Sequence, residues 1–106
     1  MIVTGGLTNG LPGYEALVSY NARTRETQWT ATPGAEPIGL VIDPRRKMVF
    51  VGGNRTVGYS VAHGTVLWTA SWAHGSPTAI GLSADGTRLF ETGSNGGGSA
   101  TVAYHT

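Results

Sequence analysis

Glu36 and His74 are the side chains of this 106-residue sequence best suited to share one chemical task. Each stands in a turn-rich segment after a Trp-containing apolar stretch, TPGAEP in one case and ASWAHGSP in the other. Carboxylate and imidazole suit several divalent metals. A bound metal acidifies water and polarises a phosphoryl or acyl oxygen. Glu36 and His74 are therefore the candidate catalytic and metal-ligating pair, with Trp72, Ser76 and Thr78 in the same loops. A divalent metal ion is the one cofactor these residues suggest. The sequence holds no H-E-x-x-H and no dense carboxylate group to reinforce the pair.

The other reactive side chains have structural readings. His63 precedes Gly64 in a predicted turn, and His105 follows Tyr104 at a strand end. Ser19, Ser60 and Ser76 are outside any G-x-S-x-G context. The stretch Ser94-Asn95-Gly96-Gly97-Gly98-Ser99 lacks the Lys and the helix that a phosphate loop needs, and reads as a hairpin. Gly10-Leu11-Pro12-Gly13 reads the same way. Asp43 and Asp85 are expected to start turns by hydrogen bonding to their own backbone. Arg45, Arg46 and Lys47 form the one basic cluster and are expected in a solvated turn. Glu91 interrupts an apolar strand pattern where Val51 stands in a similar passage. It either faces solvent or, if it points inward, requires a partner.

Composition narrows the setting. Charged residues make up 12% of the chain, glycines number 17 and the net charge is +1. Such a balance gives no electrostatic footprint for nucleic acid or for an anionic membrane surface. There is no Cys, which removes disulfides and thiol chemistry. No apolar run reaches the ~18 residues of a membrane span. The N-terminal MIVTGGL lacks the features of a signal peptide. It reads as a strand from its first residues, which favours truncation from a longer parent.

The elements that must position these side chains come from self-similarity. Trp29 and Trp68 are 39 residues apart, as are Tyr20 and Tyr59. Phe50 and Phe90 are 40 apart, as are Gly53 and Gly93. Ile38-Gly39-Leu40 returns as Ile80-Gly81-Leu82, and Asp43 returns as Asp85. Each unit contains four strand signals: an A strand (IGLVID, AIGLSAD), a B strand (MVFVGG, RLFETG), a C strand (ALVSY, TVGYSV, TVAYH) and a D strand (TQWTA, TVLWTASW). Turn residues separate them. Four short strands in a period of about 40 to 45 residues match the propeller blade. The two Trp would fill the space between blades near the outer strand.

The pattern resembles bacterial β-propeller repeats of the YVTN and quinoprotein-like type. The matching residues are Pro37-Ile38-Gly39-Leu40, Pro77-Thr78-Ala79-Ile80-Gly81-Leu82, Ser83-Ala84-Asp85-Gly86, the B strands ending in Gly53 and Gly93, and Val102-Ala103-Tyr104. The resemblance implies an all-β chain of about two and a half four-stranded blades. Residues 1–32 would be a partial blade BCD, 33–72 a full blade ABCD and 73–106 a partial blade ABC. It also implies that Glu36, Trp72, His74, Ser76 and Thr78 lie at a channel mouth. The quinone cofactor of related propellers is not expected, because its larger polar and calcium-binding set is missing.

An open arc of blades leaves two apolar faces and free strand edges. The expected partner is therefore a second copy, with two chains closing a six-bladed ring as a homodimer. The expected function is a self-assembling propeller module that binds a small-molecule ligand or protein at the channel mouth. The alternative is a metal-dependent hydrolase of broad specificity, acting on phosphoesters, phosphotriesters, esters or lactones. It rests on analogy with six-bladed propeller hydrolases, which use a denser ligand set than this sequence holds.

Overall fold

Ten strands follow one another along the chain in a computed structural model that describes residues 2–7, 15–32, 38–71, 76–94 and 98–106. They are β1 (Ile2–Leu7), β2 (Glu15–Tyr20), β3 (Thr27–Ala31), β4 (Gly39–Asp43), β5 (Met48–Gly52), β6 (Arg55–Ser60), β7 (Val66–Ser71), β8 (Ser76–Leu82), β9 (Arg88–Ser94) and β10 (Ser99–His105). No helix occurs among the described residues. The chain is all-β, as its glycines, β-branched residues and period-two patterning require. Three antiparallel sheets form from sequence neighbours: sheet 1 is β1-β2-β3, sheet 2 is β4-β5-β6-β7 and sheet 3 is β8-β9-β10.

The turns show why the strands stop where they do. Asp43 closes β4, and its Oδ1 accepts the backbone N–H groups of Arg45 at 3.0 Å and Arg46 at 3.4 Å. Strand character was expected to run to Asp85 in the matching passage, but β8 ends at Leu82. Side-chain hydrogen bonds win there over the sheet ladder. Asp85 Oδ1 accepts from Ser83 Oγ at 2.8 Å and from both the N–H and the hydroxyl of Thr87 at 3.0 and 2.7 Å.

The register also corrects the alignment read from the sequence. Leu40 pairs with Val51, and Ile80 pairs with Glu91. Asp43 closes against Met48, whereas Ser83 bonds to Arg88 through both backbone and side chain. Leu40 therefore matches Ile80, and Asp43 matches Ser83, each 40 residues on. The two Ile-Gly-Leu triplets are offset by two positions in space. Because side chains alternate with period two, a slide of two keeps the same face inward and preserves the textual likeness.

Sheets 1 and 2 pack through Leu17, Val49, Val51, Val57 and Tyr59, with Trp29, Ala31 and Leu40 at the margin. Trp29 in β3 stacks on Tyr59 at 6.3 Å, and its Nε1–H donates to the Val61 carbonyl at 2.8 Å. The ring leaves room for no side chain at Gly64, where an added Cβ would lie 2.5 Å from Trp29 Cε3 and φ is +71°. Sheets 2 and 3 meet on the opposite face. Trp68 in β7 packs edge-on against Phe50 and Tyr104, each at 5.7 Å. Ile80 sits over Gly52, whose missing Cβ would lie 2.9 Å from Ile80 Cδ1. Outer-strand tryptophans thus meet a tyrosine of the following sheet at both contacts. Even the bulges agree, falling between Ser19 and Tyr20 against β3 and between Gly58 and Tyr59 against β7.

Candidate functional site

Glu36, His74 and Trp72 lie outside the described residues, so the pair singled out for metal-assisted chemistry has no described geometry. Ser76 opens β8. Thr78 is exposed, and its hydroxyl donates to the Thr92 carbonyl at 3.2 Å. Among the described residues, no group of three or more His, Cys, Asp or Glu gathers closely enough to hold a metal ion.

The most unusual polar group is Glu91. It points inward between sheets 2 and 3 and is fully buried. The neighbouring sheet supplies one partner, Thr56, whose hydroxyl contacts Glu91 Oε1. Oε2 has no hydrogen-bond partner. Burial pushes the Glu91 carboxyl above its ordinary range, with the Thr56 hydrogen bond pulling the other way. Thr56 Oγ1 also lies 3.5 Å from the Gly53 carbonyl. The phenol of Tyr104 is pushed up as well, first by burial and then by the Glu91 charge. The sequence marks Glu91 as odd against Val51, but nothing in it identifies Thr56 as the partner, 35 residues away.

A second polar feature lies at the turns. A recess of 440 Å³ is lined by Val41, Ile42, Asp43, Pro44, Leu82 and Ser83 among others. Asp43 is 3% exposed, and its Oδ2 has no hydrogen-bond partner. That oxygen lies against Gly86 and 3.9 Å from Arg46 Nε. Arg46 is not simply a solvated turn residue. Its Nη1 donates to the carbonyl of Thr106 at 3.0 Å and to its hydroxyl oxygen at 2.6 Å. Thr106 Oγ1 in turn donates to the Gly86 carbonyl at 2.6 Å. The guanidinium ties the β4–β5 turn of sheet 2 to the far end of sheet 3.

The remaining candidates fall into structural roles. His63 is exposed in the turn before β7, with its backbone N–H donating to Ser60 Oγ at 3.3 Å. His105 is exposed opposite Arg88. Ser19 is buried, and its hydroxyl donates to Gln28 Oε1 at 3.3 Å. No nucleophile, base and orienting group come together among these residues.

The surfaces at the two ends of the stack carry more information. Phe90 occupies in sheet 3 the place of Phe50 in sheet 2, with Gly81 and Ala103 across from it where Val41 and Gly58 flank Phe50. Phe50 is fully buried, whereas Phe90 is 39% exposed. Beside Phe90 runs a 380 Å³ groove lined by Ala79, Gly81, Thr92 and Thr101. On sheet 1, Val18 and Tyr20 stand where Val57 and Tyr59 stand in sheet 2, and both are half-buried rather than buried. Phe90 is thus the counterpart of Phe50, buried at the contact of sheets 2 and 3, and Tyr20 the counterpart of Tyr59, buried at the contact of sheets 1 and 2. No protein-family model matches the chain, and no curated protein matches it.

Proposed function

We propose that the chain is a self-assembling module of the propeller type, whose open ends join to those of a second copy. One observation carries this reading: Phe90 and Tyr20, at the two ends, are the counterparts of Phe50 and Tyr59, which the internal contacts bury. Phe90 and its groove offer the surface that Phe50, Gly39 and Gly52 offer to sheet 3. Val18 and Tyr20 offer the surface that Val57 and Tyr59 offer to sheet 1. A head-to-tail contact of this kind forms a ring when the rotation closes. Two copies would contribute six sheets, and the segments that link consecutive sheets, with Glu36 and His74, would converge at the mouth of the central channel. That mouth is where a ligand or protein partner would bind.

The test is molar mass in solution by light scattering and sedimentation, on the parent chain and on Phe90→Asp. The parent is expected at twice the 11.0 kDa of one chain. The variant should dissociate, because an ionised carboxylate would be buried at the joint without a partner. A parent that stays well folded at the mass of one chain across the accessible concentration range would overturn the reading.

A further inference from the structure

We propose that the contact between sheets 2 and 3 is proton-controlled, so that ionisation of Glu91 releases sheet 3 while sheets 1 and 2 stay packed. The two internal contacts are built alike, and they differ in chemistry at one matched pair of positions. Leu17 of β2 lies opposite Ala31, and Thr56 of β6 lies opposite Ala70, so the two hold equivalent places on sheets 1 and 2. Val51 of β5 lies between Leu40 and Val57, and Glu91 of β9 lies between Ile80 and Val102, so these two match as well. Leu17 and Val51 belong to the apolar core between sheets 1 and 2. At the same places between sheets 2 and 3 stand Thr56 and Glu91, both fully buried and in contact with each other. The acid has one partner, contributed by the opposite sheet, and a second oxygen with none.

A neutral carboxyl at this place lacks only one hydrogen bond. An ionised one is a buried charge held by a single hydroxyl, which is far more costly. The surroundings offer it no relief. Strands β5, β7 and β8 carry no titratable side chain. On β6, Arg55 is exposed and Tyr59 faces sheet 1. Asp43 ends β4 at the turn end of the contact, beside Arg46. On sheet 3, Arg88 and His105 are exposed, and Tyr104 faces the contact with a phenol that burial keeps neutral. Among the described residues no cation lies within ion-pair distance of Glu91. The charge gains water only when the two sheets part. The core between sheets 1 and 2 contains no carboxylate, so the same rise in pH leaves that contact intact.

The experiment is native-state amide hydrogen exchange of the intact chain from pH 5 to 8, corrected for the intrinsic pH dependence of exchange and repeated in low urea. The inner strands of the sheets report separately: β2 for sheet 1, β5 and β6 for sheet 2, and β9 for sheet 3. Amides of β9 are expected to exchange faster than those of β5 and β6 and with a smaller urea dependence, the mark of one contact parting rather than the whole chain unfolding. The opening of β9 should grow with pH, approaching about tenfold per pH unit before it levels off. Glu91→Gln should make that opening independent of pH, and Glu91→Met, apolar and of similar size, should do the same if the Gln variant fails to fold. A single rate and urea dependence shared by β9, β5 and β6 would overturn the proposal, because sheet 3 would then open only with the rest. So would an opening of β9 that ignores pH in the parent, or a pH dependence that persists in either variant.

Discussion

Replacing Glu91 by Gln removes a proton site that the folded chain keeps and the unfolded chain releases. Glu91 is fully buried, with one oxygen unpartnered, and burial raises its carboxyl above the ordinary value of 4.5. In the unfolded chain the group ionises near that ordinary value. Above it, the folded state binds a proton that the unfolded state has lost, so stability falls as pH rises. The fall approaches about 1.4 kcal/mol per pH unit and levels off above the folded-state value. The contribution of Glu91 is complete below the ordinary value and is lost upward. Asp85 acts in the other direction and in another range. Hydrogen bonds from Thr87 and Ser83 hold its carboxyl well below the ordinary 3.8, so its contribution is present above that value and fades only in stronger acid. The assay is urea unfolding of the parent and of Glu91→Gln from pH 4.5 to 8, read as the difference in stability at each pH. That difference should move against the parent with the slope given above and then become constant. A flat difference over the whole range, or one that favours the parent as pH rises, would refute a neutral buried acid between sheets 2 and 3.

Thr56→Val leaves Glu91 without its one partner and should lower stability by about 1–3 kcal/mol, measured by urea unfolding at pH 5; an unchanged midpoint would show that the contact is not formed. Gly64→Ala places a methyl against Trp29 at a residue with positive φ, at a cost of about 1–3 kcal/mol. Trp29 should become more solvent-exposed in that variant, which a red shift in fluorescence would report, whereas unaltered emission and stability would contradict the packing described.

Strand number and order were readable because each strand combines an alternating apolar pattern with turn residues at both ends. The placement of Trp29 and Trp68 between sheets follows from their recurrence 39 residues apart in the outer strands, whereas their partners Tyr59 and Tyr104 are 45 apart and were not readable as partners. Exact register was not readable from the triplets. A two-residue slide along a pleated strand leaves face and composition unchanged, so Ile38-Gly39-Leu40 and Ile80-Gly81-Leu82 look equivalent while sitting two places apart. Local hydrogen bonding ended β8 before Asp85, a competition between side chain and ladder that apolar patterning does not register. The direction of Glu91 was undecidable from the sequence, because its neighbours fit a strand with either face buried. The reach of Arg46 to Thr106 spans 60 positions and belongs to tertiary placement alone. As for the expected site, Glu36 and His74 lie outside the described residues, and the polar features that are described, Glu91 and Asp43, come from strand and turn positions instead.

The bare backbone at Gly52 under Ile80 has a consequence for curvature. With an added Cβ only 2.9 Å from Ile80 Cδ1, even an alanine methyl would act as a wedge and tilt one layer away from the next. In the closed ring proposed above, the tilt between layers sets how many come full circle, so Gly52 is a position where added bulk bears on that number while leaving every strand intact.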